Sequence, residues 1–216
     1  MKNDSLESIH HIPLGFLVDA MDGRGAMEHR IRLLEGFHKE SRLLGTVLTC
    51  HCGPGDNLGL FGAVAEAQPG NVIVAATDSF EGTCLTGDLL MGMARNCKVA
   101  GLVTDGLVRD PEGIHQIGLP VFCCGVTPNS PVRNGPGTIG FPVVVGGVKV
   151  ESGDIIAADS EGVVVIPQKE LAGVLQRIPE IQSAEKRTEQ AVAEGMKMLD
   201  SVRELLSSDK VEYVEE

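Results

Sequence analysis

Tryptophan is missing from this chain, and aromatic residues make up only 3 % of it. A core of ordinary size must therefore come from Val, Ile, Leu and Ala, with 27 glycines serving tight turns. Basic residues are also in short supply. Lys and Arg number 18 against 30 Asp and Glu, a formal net charge of -12. Nucleic-acid binding rests on clustered cations, so a nucleic-acid partner is not expected, nor is an anionic membrane surface. No run reaches the roughly 18 apolar residues of a membrane span. The polar, acid-bearing start from Met1 to Glu7 does not read as a secretory signal, so a cytoplasmic location is expected. No internal repeat or low-complexity segment stands out.

Paired cysteine spacing is absent too. Cys50-His51-Cys52 offers metal-binding side chains, but C-x-C alone lacks the doubled spacing of a zinc site. Cys50 ends an apolar run, and Cys123-Cys124 ends a strand-like run whose neighbours face opposite ways. Buried free thiols are the expectation for both.

What is present is an alternation of strand and helix signals. Residues 14–36 carry apolar positions at helical spacing (Leu14, Val18, Met21, then Met27, Ile31, Leu34), which predicts two short helices broken near Gly23 and Gly25. Leu43 to Thr49 reads as a strand, Asn57 to Ala67 as a helix, and Val72 to Ala76 as a buried strand. A helix over about Asp88 to Arg95 follows, then buried strands over Val99 to Thr104 and Val121 to Val126. Such alternation implies parallel strands with crossover helices. The stretch from Pro128 to Gly137, rich in Pro, Gly and Asn, is a long loop of the kind that often carries function. Phe141 to Val145 and Val148 to Val150 form a hairpin around Gly146-Gly147. Short strands over Ile155 to Ala158 and Gly162 to Ile166 come next, then a charged helical segment from Lys169 that breaks at Pro179. Val192, Met196, Leu199, Val202 and Leu206 make an apolar stripe suited to core or subunit contact, and Asp209 to Glu216 should fray.

Two segments carry the chemistry. Gly87-Asp88-Leu89-Leu90 opens a helix, where an acid can cap and where the free N–H groups of Leu89 and Leu90 can hold a carboxylate. Asp105-Gly106-Leu107-Val108-Arg109-Asp110 follows a buried strand, so it lies where ligands gather in open α/β sheets. Arg109 offers a planar fork of donors for a carboxylate or enolate oxygen, and Asp110 offers the hard oxygens that magnesium or manganese prefers. Alone, an Arg-Asp dipeptide is a surface pair worth little. Beside a helix tip, the trio suits a 2-oxo acid whose developing enolate charge needs neutralising.

Asp88, twenty intervening residues and Arg109-Asp110 resemble the D-x20-R-D motif of 4-hydroxy-4-methyl-2-oxoglutarate aldolases. That family also holds the regulators of ribonuclease E activity and is often mislabelled as demethylmenaquinone methyltransferases. The likeness spans about residues 14–200 and takes in Asp56-Asn57, Val103-Thr104-Asp105-Gly106, Gly146-Gly147-Val148 and the run from Asp159 to Pro167. It implies an α/β swivelling-domain-like α/β/α-type sandwich with a mixed sheet and C-terminal helices. Residues 1–216 would form a single aldolase-like domain, with residues 168–208 its helical segment. It implies homotrimers, or homohexamers of two trimers, with active sites between subunits. It further implies magnesium (or manganese) held by Asp110 and water, Asp88 orienting that water, Arg109 stabilising the pyruvate enolate, and the Gly87-Leu89-Leu90 turn holding the pyruvate carboxylate. Glu189 is the candidate acid sent from a neighbouring subunit. Many relatives carry an acid three residues beyond the motif's final Asp, where this chain has Gly113.

The expected reaction is cleavage of a 4-hydroxy-2-oxo (di)carboxylic acid to pyruvate and a carbonyl product, with oxaloacetate decarboxylation through the same enolate. The alternative is a non-catalytic regulator that binds ribonuclease E. A methyltransferase is disfavoured because no glycine-rich turn with a downstream ribose-binding acid follows an early strand. None of the six histidines sits in a phosphohistidine-type motif.

Overall fold

The computed structural model describes residues 2–37 and 42–214, with side chains from residue 6 onward. The chain opens with α1 (Lys2–Ile9), α2 (Leu14–Ala20), β1 (Arg32–Leu33), β2 (Leu43–His51), α3 (Leu58–Glu66) and β3 (Asn71–Ala76). Then follow β4 (Cys84–Thr86), α4 (Asp88–Asn96), β5 (Gly101–Thr104), β6 (Leu107–Val108), α5 (Pro111–Ile117) and β7 (Val121–Cys123). The last part holds β8 (Thr138–Ile139), β9 (Val143–Val145), β10 (Val148–Val150), β11 (Ile155–Asp159), β12 (Gly162–Ile166), α6 (Leu171–Ala193) and α7 (Asp200–Leu206).

The main sheet has the order β1-β7-β5-β3-β2-β11-β12, with β8 paired to the end of β2. β2, β3, β5 and β7 run parallel, as the strand–helix alternation requires. β1 joins one edge and β11–β12 the other, all antiparallel to their neighbours. Sheet twist brings the two edges round toward each other. The Val165 N–H donates to the Gly25 carbonyl and the Met27 N–H to the Val163 carbonyl, both at 2.9 Å. The Arg32 guanidinium reaches the Glu161 carbonyl at 3.1 Å. The result is a nearly closed mixed sheet with C-terminal helices.

Three apolar clusters fill the layers. α3, α4 and α5 cover the outer face through Leu60, Val64, Leu90, Met91 and Ile114. Val47, Val72, Val74, Phe122 and Ile156 line the inner face, where Val143, Val145 and Val150 of the β9–β10 hairpin pack on them. α2 and α6 cover β11 and β12 with Leu14, Leu17, Val174 and Ile178. β3 is buried along almost its whole length, as expected of a parallel strand covered on both faces.

Two sequence expectations need correction. Met27, Ile31 and Leu34 do not form a second helix. Their segment runs extended because its backbone bonds to the sheet edges, with the Leu34 N–H on the Val121 carbonyl at 2.8 Å. The helical spacing arose from three separate burials along an edge. α6 also does not break at Pro179; it continues for 23 residues. Packing of Val174 and Ile178 against α2 holds it. Arg177 adds 2.8 Å bonds to the Ala20 carbonyl and the Asp22 carboxylate. Together these outweigh the roughly 3 kcal/mol that an interior proline costs.

No helix among the described residues is long and apolar enough to cross a membrane. The apolar stripe is not core in this chain, since α7 buries no residue and Val192 and Leu199 are exposed. Past α7 no further helix or strand follows among the described residues, and Glu215 and Glu216 of the expected frayed tail lie outside them.

Candidate active site

A small parallel pair, β4 with β6, sets the site. Thr86 lies beside Val108, and the Arg109 N–H donates to the Thr86 carbonyl at 2.9 Å. Both strands therefore end at the same level. One releases Gly87-Asp88 into α4, and the other releases Arg109-Asp110 into α5. The two acids and the guanidinium meet because two neighbouring strands stop together. A side-chain carbon on Gly87 would lie 2.5 Å from Asp110 Oδ2 and 3.0 Å from Arg109 Cγ. One on Gly113 would lie 2.7 Å from Asp88 Cβ and 2.8 Å from its Oδ2. Each acid thus rests against a bare stretch of the opposite backbone. The position where many relatives carry an acid is the one against which Asp88 packs.

Asp110 caps α5 in the left-handed region, with φ 54° and ψ 50°. For a residue other than glycine this backbone costs about 1–3 kcal/mol, and such strain gathers at functional sites. The sequence reading missed α5 itself. Its signals were present: Pro111 at the first helical position and Gly118 just past the end.

Arg109 Nε lies 3.1 Å from Asp110 Oδ2, and its Nη1 donates to Ser130 Oγ at 2.8 Å. These contacts fix the plane of the guanidinium. Asp88 is the first residue of α4, with Gly87 as the cap. Its Oδ1 accepts the Leu89 N–H at 2.7 Å. The Leu89 amide is thereby engaged, whereas the Leu90 N–H has no protein acceptor.

The long loop from Pro128 to Gly137 forms one wall. Asp56 anchors it, its Oδ2 accepting the N–H groups of Asn134 at 2.6 Å and Gly135 at 2.9 Å, while Oδ1 accepts that of Leu58 at 2.8 Å. Burial alone would raise the Asp56 pKa, but these amide donors together hold it below the usual carboxylate value. Ser130, Arg133, Asn57 and Asp56 were not assigned roles from sequence, although the loop had been marked as functional in kind. A second buried acid, Asp105, accepts the N–H groups of Thr77 at 2.7 Å and Ser79 at 2.9 Å. It fixes the turn between β3 and β4.

A cavity of about 160 Å³ opens here, lined by Asn57, Phe61, Gly87, Asp88, Arg109 and Arg133 among others. A larger groove of about 770 Å³ lies on the far side of the Asp110-Pro111 turn, between β1, α5 and Cys124. It contains neither Asp88 nor Arg109, so the smaller cavity is the one that holds the constellation. Cys84 lies in its wall, where burial pushes the thiol pKa up. Cys50 and Cys52 are buried in the outer cluster, and His51 instead pairs with Asp78 at 2.9 Å, so the free-thiol reading holds.

Magnesium takes one or two carboxylates from a protein and keeps several waters. Asp110 and Asp88 match that donor set in number and hardness. No cluster of three or more His, Cys, Asp or Glu occurs among the described residues, so an all-protein metal cage is not offered. Glu189 lies exposed on α6, a helix that packs on α2 and is not among the elements forming this cavity. Within one chain it is not brought to the site.

Fold and cleft define an α/β protein whose acids and guanidinium converge at the ends of two adjoining strands. The chain belongs to the RraA-like family, matching the family model described as Aldolase/RraA over residues 16–165. It is 32 % identical over 193 residues to a Halalkalibacterium halodurans protein provisionally named 4-hydroxy-4-methyl-2-oxoglutarate aldolase, covering 89 % of this chain and 90 % of that one. Among solved structures, it resembles the RNA-processing inhibitor RraA from Thermus thermophilis, with 25 % identity, a TM-score of 0.66, and coverage of 73 % of this chain and 94 % of the other. A Geobacillus kaustophilus structure named as an S-adenosylmethionine: 2-dimethylmenaquinone methyltransferase gives 26 % identity, a TM-score of 0.67, and coverage of 74 % and 98 %.

Proposed function

We propose that this protein is a divalent-metal-dependent lyase that cleaves a 4-hydroxy-2-oxo acid, such as 4-hydroxy-4-methyl-2-oxoglutarate, to pyruvate and a carbonyl product. One observation carries the reading: β4 and β6 end together and bring Asp88, Arg109 and Asp110 to one small cavity. The name of the H. halodurans relative supports the same chemistry.

Asp110, with Asp88 nearby, would hold magnesium or manganese, which supplies a Lewis acid for charge on the keto oxygen when bound. Arg109, oriented by Ser130 and Asp110, donates to that same oxygen as it becomes an enolate. The amide edge at Leu90 and the Gly87 turn face the substrate's 1-carboxylate. Asp88, only partly buried, takes the C4 hydroxyl proton through a bridging water. The C3–C4 bond then breaks, its electron pair enters the pyruvate enolate, and C4 leaves as a carbonyl. Return of one proton to C3 gives pyruvate. Oxaloacetate would lose CO₂ through the same enolate, and no lysine Schiff base is needed.

Leu89 and Met93 are exposed apolar side chains on the cavity wall, and Val192 and Leu199 are exposed on the C-terminal segment. These surfaces support a trimer or hexamer in which another subunit covers the site and Glu189 reaches a neighbour's ion. The regulator reading draws on the T. thermophilis likeness and predicts no turnover.

The test is coupled pyruvate release from 4-hydroxy-4-methyl-2-oxoglutarate, after chelation and after magnesium is restored. Release that needs the metal and falls at least about 100-fold in Asp110→Ala is expected. Equal release by the variant would overturn the metal role, and none from the metal-loaded wild type would overturn the lyase reading.

A further inference from the structure

We propose that Arg133 recognises a second carboxylate, so that the cavity beside Asp88 selects 4-hydroxy-2-oxo dicarboxylic acids over their monocarboxylate counterparts. The substrate class rests on the lyase reading above; the anion preference of the cavity can be tested without it.

Arg109 and Arg133 line the same cavity, with Asp88 as the acid among its lining residues. Their situations differ. Arg109 is already engaged by Asp110 and Ser130. Arg133 lies over the Phe61 ring, 5.0 Å from its centroid, and has no acidic or hydrogen-bonding side-chain partner among the described residues. A guanidinium stacked on a ring keeps its N–H edges free, and those edges match a carboxylate in a two-pronged way. In a chain with 30 acidic residues, a cation kept free of acids at a cavity wall is available to an incoming anion.

The backbone on both sides of Arg133 is tied down. The Val132 N–H donates to the Gly55 carbonyl at 2.8 Å, and the Asn57 N–H to the Val132 carbonyl at 3.1 Å. The next two N–H groups, of Asn134 and Gly135, go to Asp56. Arg133 is thus presented by a fixed stretch of loop, which reduces the ordering cost of binding.

Asn57 makes a second, independent case for a polar ligand. It lines the cavity, is only 4 % exposed, and spends its amide N–H on the Leu85 carbonyl at 3.0 Å. Its Oδ1 has no partner. An unpaired buried acceptor is costly, and a ligand hydroxyl would satisfy it. A 4-hydroxy dicarboxylate supplies both missing groups at once: an acceptor for Arg133 and a donor for Asn57. The cavity is below the roughly 300 Å³ of larger ligand sites, in keeping with a small acid.

The test compares 2-oxoglutarate with 2-oxobutyrate by calorimetry, magnesium chloride present, on wild type, Arg133→Gln and Arg133→Lys. Pyruvate release from 4-hydroxy-2-oxoglutarate and from 4-hydroxy-2-oxopentanoate is measured alongside. Expected is tighter wild-type binding of 2-oxoglutarate, a preference that falls at least tenfold in Arg133→Gln and is partly restored in Arg133→Lys. In turnover, Arg133→Gln should raise KM for the dicarboxylate at least ten times more than for the monocarboxylate, with kcat changed less. Equal losses on both acids, or no wild-type preference, would overturn the proposal. If the binding preference behaves as expected while no pyruvate is released from either substrate, the lyase reading fails and the carboxylate site stands.

Discussion

Replacing Gly87 by Ala would drive a methyl group into Asp110 Oδ2 and the Arg109 stem, since the added carbon would lie within 2.5 Å of the acid. A displacement of the acid by about 1 Å is enough to cost on the order of 100-fold in rate. Gly87→Ala should therefore lose pyruvate release and weaken magnesium binding by calorimetry, while circular dichroism shows a native fold. Asp56 gives a prediction in pH. Its folded pKa is lowered, so its stabilising effect is complete above the unfolded value near 4 and is lost as pH falls through the folded value. Asp56→Asn should cost about 1–3 kcal/mol at pH 7 in urea unfolding, and its curve should converge with wild type in acid. A constant gap across that range would mean the charge is not the cause. At this scale Asp88, Arg109 and Asp110 were legible because motif spacing names them directly. Asn57 and Arg133 were not, because their significance lies in what they lack: a partner that only coordinates can show to be missing.

At the scale of elements, the parallel strands and their crossover helices were readable from buried runs and helical spacing. β4 and β6 were not, since strands of three and two residues leave no periodicity. Yet that pair, rather than the long sheet alone, levels the two halves of the site. The extended stretch through Met27 and Ile31 misled for a related reason: residues pinned one by one to sheet edges can imitate a helical stripe. α6 offers an element-scale test. Pro179 withholds an N–H inside a helix that packing keeps straight enough to continue. Pro179→Ala should raise the urea midpoint, with a gain of up to about 3 kcal/mol. A fall instead would mean that the ring itself fills a contact.

At the scale of the molecule, the sheet curls until β1 and β12 approach, and the helices divide between two faces. The half of α6 beyond Ile181 and all of α7 bury no residue in a single chain. If these surfaces join subunits, Val192→Glu combined with Leu199→Glu should shift the mass by light scattering from a trimer or hexamer toward a monomer. Pyruvate release should fall with it; unchanged mass would remove α6 and α7 from the interface. The loop tethered by Asp56 has a consequence of its own. It supplies Ser130 and Arg133, yet the ion-facing acids belong to other stretches of chain. Bond-breaking machinery and the choice of what is broken are therefore inherited separately. Grafting a relative's version of residues 128–137, with Ser130 retained, should retarget the enzyme to a different acid without rebuilding its chemistry.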